Sequence, residues 1–399
     1  VVAEFPGTRL VTDCPTYTPE ARESETVQAL RAVDVTTIPE RPQEVDPLWA
    51  LGELLASPTI ASKRWVYRQY DTMVRTSTVI GPGGDAAVVR LRGTDRAVAV
   101  KTDCNGRHCY LDPREGARGA VAEAARNVAC TGARPLAITN NLNFGNPTRP
   151  DVYFQLREAV GGLGEACRAL GTPVTGGNVS LYNENPTGAV YPTPVVGMVG
   201  LIDSLAHVTR ATFRPPVDGA APAAIVLLGT NTDELGGSEY LAHVHGRVAG
   251  APPHVDLDAE LRLINALLAV IRAGHVRSAH DTSDGGLAVA LAECAMADPD
   301  VRTGVEVDLS PWAYLPTRAL LYAESHGRVI VSTDAPNGVL ALAAEHSVPA
   351  TVIGRVTTAA EGFVVQVGES RWSASIDALA RGYHETIPAA MAGPAAAAA

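Results

Sequence analysis

The sequence predicts a fold class that mixes α-helices and β-strands, α/β or α+β, in two consecutive units. Between residues 224 and 356, short apolar runs alternate with longer amphipathic runs, as strands and helices do. Residues 151–170 place apolar side chains at spacings of three and four, and Gly171 follows them, which is the pattern of an amphipathic helix and its end. Polar side chains gather on glycine-rich turns, where binding sites often lie.

Composition changes divide the chain. Residues 1–61 are rich in Pro, Thr and Glu, and they predict the end of a preceding domain, with a strand, and then an extended linker. One short helix is expected near residues 49–56. Residues 62–215 form the first globular unit and residues 216–390 the second. The Ala-rich residues 391–399 predict a disordered tail.

Periodicity predicts the elements of each unit in order. In the first unit the expected strands are 86–91, 97–100 and 193–202, and the expected helices are 115–130 and 151–170. In the second unit the expected strands are 224–229, 276–279, 305–309, 328–332 and 351–356. The helices expected between them are 238–245, 258–271, 285–296, 316–325 and 338–346.

Composition excludes several function classes. The formal net charge of −11 argues against a nucleic-acid backbone or an anionic membrane surface as the main partner. No apolar run approaches the ~20 residues that span a bilayer, and the first residues lack the basic and apolar regions of a secretory signal. The 6 cysteines are scattered and form no CxxC pair, so a reducing cytoplasm is expected.

The common nucleotide and hydrolase motifs are absent from the sequence. It contains no GxxxxGK[ST] loop, no GxSxG elbow, no HExxH helix and no GxGxxG that opens a helix after a strand. Acids and amides on glycine-flanked turns remain. That chemistry is typical of magnesium–phosphate binding.

A Gly-rich stretch at residues 173–184 carries the first candidate site. Gly176 and Gly177 permit close approach of a ligand, and Asn178 and Ser180 point to one face of an extended segment. They offer an amide oxygen to a cation and a hydroxyl to a phosphate or substrate. The alternative is a tight turn capped by Asn and Ser.

Acids elsewhere suggest a second site. Glu123 and Asn127 are four apart on an Ala-rich helix, so they share a face and could hold one ion, or could form a solvated stripe. Asp103 ends a strand, where an acid is either a ligand or a turn residue. Asp281 precedes a helix N-terminus and is placed to hold a cation that carries phosphate. His280 is either a base or a satisfied core histidine.

Four segments carry a resemblance to one known family. They are GGNVSLYNE at 176–184, NLNFGNP at 141–147, VAEAARN at 121–127 and HDTSDGG at 280–286. Over nearly its whole length the chain resembles the C-terminal half of the large subunit of phosphoribosylformylglycinamidine (FGAM) synthase, small bacterial form. The resemblance implies an A domain like that of aminoimidazole ribonucleotide synthetase, whose mixed sheet pairs with a second A domain into a barrel, and an α/β B domain.

The resemblance also implies an activity and partners. The family converts formylglycinamide ribonucleotide (FGAR), ATP and ammonia into the amidine, ADP and phosphate. ATP phosphorylates the amide oxygen, and ammonia displaces the phosphate. The implied partners are the N-terminal half, which supplies the catalytic histidine, a glutaminase subunit and a small bridging subunit. This half alone is therefore expected to be inactive.

Site roles implied by the resemblance fall into two groups. At the active site, Gly177 contacts ATP, Asn178 holds Mg²⁺ and Ser180 contacts substrate; Asn140 stands where the family usually has an ATP-contacting Asp. At an auxiliary nucleotide site, Ser283 lies near ATP or ADP and the Mg²⁺ ligands are Asp103, Glu123, Asn127 and Asp281. Two other functions stay open: a non-catalytic scaffold that binds ADP and Mg²⁺, or another ATP-dependent synthetase or kinase of the same superfamily.

Overall fold

Two mixed β-sheets with helices packed on them make up most of the molecule. The structure, a computed structural model, describes residues 1–217, 219 and 221–392. The strands of this part are β1 Thr78–Ile80, β2 Ala87–Leu91, β3 Arg96–Asp103, β4 Arg134–Asn143, β5 Val174–Ser180, β6 Glu184–Asn185, β7 Gly188–Ala189, β8 Thr193–Ile202, β9 Ala224–Leu228, β10 Ser278–Asp281, β11 Thr303–Asp308, β12 Val329–Thr333, β13 Ala350–Thr358, β14 Phe363–Val367 and β15 Ser370–Ala374.

The helices surround these strands. They are α1 Thr8–Val11, α2 Glu25–Arg31, α3 Pro47–Leu55, α4 Arg64–Tyr67, α5 Gly106–Leu111, α6 Pro113–Cys130, α7 Pro150–Leu170, α8 Leu257–Arg272, α9 Gly286–Met296, α10 Thr317–Tyr322, α11 Pro336–Glu345 and α12 Ile376–Ala392. A π-helix spans Tyr240–Val244. Among the described residues, no helix combines the length and the apolar character needed to cross a membrane.

The first sheet has the strand order β1-β2-β3-β8-β4-β5. Its neighbours are antiparallel except for β4 and β5, which are parallel. Every second side chain of β8 is buried and the others are half-buried, because α6 covers one face of the sheet. β5, at the edge, is exposed from Val174 to Val179. The sheet therefore ends in a strand that no element of the described residues covers.

The second sheet has the order β10-β12-β9-β13-β11-β14-β15, and only β11 and β14 run parallel. Its two faces belong to different cores. Ile225 and Leu227 of β9 pack with α3, α9, α10 and α12, whereas Val226 and Leu228 pack with α8 and with α6 of the first unit. Successive side chains of β9 point to opposite faces of the sheet, so one face packs in the core of the second unit and the other packs in a core that both units share.

The N-terminal segment corrects one expectation. Within residues 1–61 the structure contains short helices and no strand. α3 begins at Pro47, and the Asp46 side chain accepts a hydrogen bond from the Leu48 amide at 3.0 Å, which caps the helix. Leu51 and Leu54 are fully buried in the core of the second sheet. Part of the expected linker is therefore built into the second unit.

Other differences are local. The expected helix at 238–245 is the π-helix, and the expected strand at 276–279 begins at Ser278. β4 was not predicted, because its asparagine-rich end resembles a turn; β14, β15 and α12 were not predicted either. Of the expected disordered tail, Met391 and Ala392 end α12 and residues 393–399 lie outside the described part. The fold class is confirmed: mixed sheets with packed helices.

Candidate functional site

A cavity of about 670 Å³ opens where the two sheets meet. Its lining includes the acids Asp103, Glu123 and Asp284, together with Lys101, Asn127 and Ser283. The Gly-rich turn between β1 and β2, residues 81–84, forms its roof, and residues 209–212 contribute another side. Side chains that are far apart in the sequence therefore converge, because the end of β3, one face of α6 and the turn before α9 all border this cavity.

Asp103, the last residue of β3, carries a buried oxygen without a partner. Its Oδ2 atom is buried and forms no hydrogen bond with any described residue. Burial raises the pKa of Asp103 to about 6; the neighbouring Lys101 opposes this rise and Asp281 adds to it. Burial would lower the pKa of Lys101, but the surrounding carboxylates, Asp103 first, outweigh it and raise that pKa. An unpaired buried carboxylate oxygen is costly, and a cation would satisfy it.

Glu123 and Asn127 lie on the face of α6 that looks into the cavity. Asn127 donates from Nδ2 to the Glu123 carbonyl oxygen at 2.9 Å and to Asp281 Oδ2 at 3.1 Å, so its Oδ1 is the atom left for a ligand. The pKa of Glu123 is raised well above its usual value by burial and then by the charge of Asp103. The helical spacing predicted this shared face, and the stripe lies inside the protein rather than in solvent.

Asp281 lies behind Asn127 and does not line the cavity. Its Oδ1 accepts from Arg126 Nε at 2.7 Å, and Arg126 Nη1 also donates to Glu260 Oε1 at 2.5 Å. Both Arg126 and Asp281 side chains are 1 % exposed. Of the expected Mg²⁺ ligands of the auxiliary site, three line one cavity and the fourth is held by a guanidinium group.

The described residues contain no group of three or more His, Cys, Asp or Glu side chains arranged to hold a metal ion. Magnesium that arrives with a phosphate needs only one or two carboxylates, because phosphate oxygens and water complete its shell. The Asp103, Glu123 and Asn127 oxygens fit that requirement. A cation would stabilise the Asp103 Oδ2 atom most, because that atom is buried without a hydrogen-bond partner among the described residues. Their role as ligands stays a prediction.

His280 is a satisfied histidine. Its Nδ1 lies 2.9 Å from Asp85 Oδ1 and its Nε2 lies 3.2 Å from Glu293 Oε2. Burial would lower the pKa of His280, but Asp85 first, and then Cys294 and Glu293, outweigh burial and raise that pKa well above its usual value. The imidazole is therefore charged and paired. Asp85, which is buried and lines the cavity, uses the same Oδ1 to accept from the Asp281 amide at 3.2 Å.

The other predicted residues form a separate group on β4 and β5. Asn140 lies opposite Gly177 in the parallel register, and Asn178 lies opposite Asn141. Asn178 Nδ2 is 3.3 Å from Ser180 Oγ, so these two side chains share a face as predicted. None of Asn140, Gly177, Asn178 and Ser180 lines the cavity. The sites suggested by the sequence are thus two distinct places.

Several cavity residues were not predicted. Arg64, Tyr67 and Arg68 of and beside α4, and Tyr383 of α12, line the cavity from the outside. No signal in the sequence marks them, because the short helix α4 lies in a stretch without a motif. Arg126, which does not line the cavity, was not predicted either, although it lies inside the VAEAARN string between Glu123 and Asn127.

The fold and the two clusters define a class of protein. Residues 83–202 match the model of the N-terminal domain of AIR synthase related proteins, and residues 223–367 match the model of their C-terminal domain. The chain therefore belongs to the family of AIR synthase related proteins. These matched ranges contain every predicted site residue.

One curated relative narrows the family to a single enzyme. The chain is 48% identical over 395 residues to the phosphoribosylformylglycinamidine synthase subunit PurL of Moorella thermoacetica, which covers 98% of the chain and 52% of that protein. This confirms the predicted resemblance to the FGAM synthase family. The chain spans about half the length of this relative.

Solved structures agree with the fold. Thermotoga maritima PurL complexed with FGAR aligns with a TM-score of 0.66 and 22% identity, over 83% of this chain and 53% of that one. The same protein complexed with ATP aligns with a TM-score of 0.60 and 22% identity, over 82% and 52%. At this identity the likeness concerns the fold alone.

Proposed function

We propose that the chain supplies the C-terminal pair of domains of an FGAM synthase, the ATP-dependent enzyme that converts FGAR and glutamine-derived ammonia into formylglycinamidine ribonucleotide. The observation that carries this proposal is the convergence of Asp103, Glu123 and Asn127 on one cavity with a buried unpartnered oxygen. The 48% identity to an FGAM synthase subunit supports it.

The cavity is the auxiliary nucleotide site of this proposal. Lys101 is charged and faces the same space as the carboxylates, so the wall offers one cation to phosphate and oxygen ligands to Mg²⁺. Bound there, Mg²⁺ neutralises phosphate charge. The Gly-rich turn at residues 81–84 brings backbone close to the ligand, and Ser283 stands beside the start of α9.

The active site of the proposal lies on the β4–β5 face and is completed by another polypeptide segment. β5 is exposed on both faces from Val174 to Val179, and it carries Asn178, which is exposed, and Ser180, which is half-buried. Such a strand invites pairing with a second sheet. We therefore expect the N-terminal half of the enzyme to cover this edge, with the glutaminase and the bridging subunit as further partners.

Reconstitution tests the proposal. The chain would be mixed with a polypeptide that carries the N-terminal half of a related FGAM synthase, and ADP release would be followed after addition of ATP, Mg²⁺, FGAR and ammonium chloride. No turnover is expected from the chain alone, and FGAR-dependent turnover is expected from the mixture. Turnover by the chain alone would contradict the proposal, as would an inactive mixture in which both polypeptides co-purify.

A second candidate function is a non-catalytic scaffold that binds ADP and Mg²⁺. One observation favours it: the cavity cluster is built from this chain alone and is separate from the β4–β5 group. Such a scaffold would bind nucleotide in titrations yet leave the mixture described above inactive. The two functions therefore differ in turnover and not in binding.

A further inference from the structure

The outer wall of the cavity comes from a segment that carries no motif. Residues 59–72 contribute Thr59, Ile60, Arg64, Tyr67, Arg68 and Thr72 to the lining. The segment is fixed to the second unit: the Ser62 amide donates to the Tyr383 carbonyl oxygen at 2.9 Å, and Ile60 is buried. It is therefore a built wall of the cavity and not a loose linker.

Tyr67 packs directly on the Gly-rich roof. A Cβ added at Gly83 would lie 2.9 Å from the Tyr67 hydroxyl oxygen, and Gly83 has φ +104, a conformation that glycine adopts readily. The Tyr67 side chain is half-buried, and burial raises the pKa of its phenol. The cavity thus presents a neutral aromatic ring beside the turn that would cover phosphates.

Charge is divided between the inner wall and the rim. Asp103 and Glu123 lie in the inner wall, whereas the more exposed part of the lining carries three arginines, Arg64, Arg68 and Arg210, together with Asp284 and Asp298. Within the described residues, none of these three arginines forms a salt bridge with a carboxylate. Arginines without a carboxylate partner, outside an acidic interior, suit a polyanion that brings its own cation.

We propose that α4 is part of the nucleotide site, with Tyr67 as the residue that stacks on the base of a nucleoside diphosphate or triphosphate. The inference rests on the proposed function, since it takes the ligand of the cavity to be a nucleotide with Mg²⁺. The polyphosphate faces Lys101 and the Gly-rich turn, and the base lies against the Tyr67 ring at the outer wall. Tyr67 then makes the site bind nucleotides more tightly than polyphosphates that lack a base.

Calorimetric titrations of the full chain with two probes test this role: ADP with Mg²⁺, and inorganic pyrophosphate with Mg²⁺. Tyr67→Ala should weaken ADP binding by about tenfold or more, because a base stacked on an aromatic ring loses that much on truncation. Pyrophosphate binding should not change. Tyr67→Phe should bind ADP as the unchanged chain does, and so should Tyr70→Ala, since Tyr70 is 71% exposed and does not line the cavity.

Tyr67→Leu guards against a misfolded alanine variant, because leucine keeps an apolar side chain against Gly83 but removes the aromatic face. It should lose ADP affinity with an unchanged melting temperature. Equal losses for ADP and pyrophosphate, or no loss for ADP, would overturn the role of Tyr67. If the unchanged chain binds pyrophosphate and not ADP, the base site alone fails; if it binds neither, the nucleotide site itself fails.

Discussion

Arg126 Nε lies 2.7 Å from Asp281 Oδ1, and this ion pair joins α6 of the first unit to β10 of the second in the buried interior. Arg126 also holds Glu260 of α8. One guanidinium group thus ties together an element of the first sheet's unit and two elements of the second. It also fixes Asn127, the next residue, on the edge of the cavity.

Removing this guanidinium group should destabilise the whole fold. Arg126→Met leaves two carboxylates buried without their partner, and we expect the free energy of unfolding to fall by about 3–5 kcal/mol. Arg118→Met is the matched control on the same helix: Arg118 pairs with Glu165 where both side chains are partly exposed, 25% and 27%, and its loss should cost below about 1 kcal/mol. Urea unfolding measures both. Equal effects would mean that the buried pair has no special weight.

Of the two neighbouring glycines on the exposed strand β5, Gly177 should tolerate an alanine poorly and Gly176 should tolerate it well. A Cβ at Gly177 would lie 2.0 Å from Asn140 Oδ1, whereas a Cβ at Gly176 would meet nothing within 4 Å. Gly177→Ala should therefore lower the free energy of unfolding by about 1–3 kcal/mol, as overpacking does. It should also displace Asn140, a predicted ATP contact. Gly176→Ala should be nearly neutral, and two alike thermal melts would contradict the close approach of β4 to β5.

The stability of the protein should fall as pH drops below about 6.5, in part because of His326. Burial and then the charge of Arg126 lower the pKa of His326 well below its usual value of 6.5, with His108, Arg328 and His254 adding to the effect. Below pH 6.5 the His326 imidazole binds a proton in the unfolded chain and stays neutral in the folded chain. His326 therefore contributes stability that is present above pH 6.5 and lost as pH falls.

His326→Gln checks this pH dependence. Its loss of stability between pH 7 and pH 5.5 should be smaller than that of the unchanged chain, by up to about 1.4 kcal/mol for each pH unit. His243→Gln is the control, because His243 is exposed and is not among the groups that shift the pKa of His326. Urea titrations at the two pH values give the comparison. Identical slopes for all three proteins would contradict a buried neutral His326.

The sequence predicted elements that rest on local chemistry. Glycine and aspartate punctuation and the three-and-four spacing predicted α7 and most of α8, and the spacing of Glu123 and Asn127 predicted their shared face. β4 was missed because asparagines favour turns when alone, and its strand geometry comes from pairing with β5 and β8 on both sides. Tertiary pairing of that kind leaves no local signal.

The sequence predicted those candidate site residues that stand in recognisable motifs. It did not predict residues that reach the cavity only through packing between distant segments. Asp103, Glu123 and Asn127 stood out as acids and amides on strands and helices. Tyr67 lines the same cavity only because α4 folds over Gly83, a contact between segments of the chain that no spacing encodes. Asp281 was expected at the ion, and the reason it lies apart is a partner, Arg126, whose charge the sequence analysis did not pair with it.

Titration of ADP and Mg²⁺ into the chain and its Asp103→Asn variant tests the central claim most directly. The unchanged chain should bind, and Asp103→Asn should bind about tenfold to a hundredfold more weakly, because a lost contact to a charged group costs about 1.5–3 kcal/mol. Asp95→Asn, in the exposed turn between β2 and β3, should bind as the unchanged chain does. An unchanged chain that binds no ADP, or an Asp103→Asn variant with full affinity, would contradict the assignment of this cavity to a nucleotide.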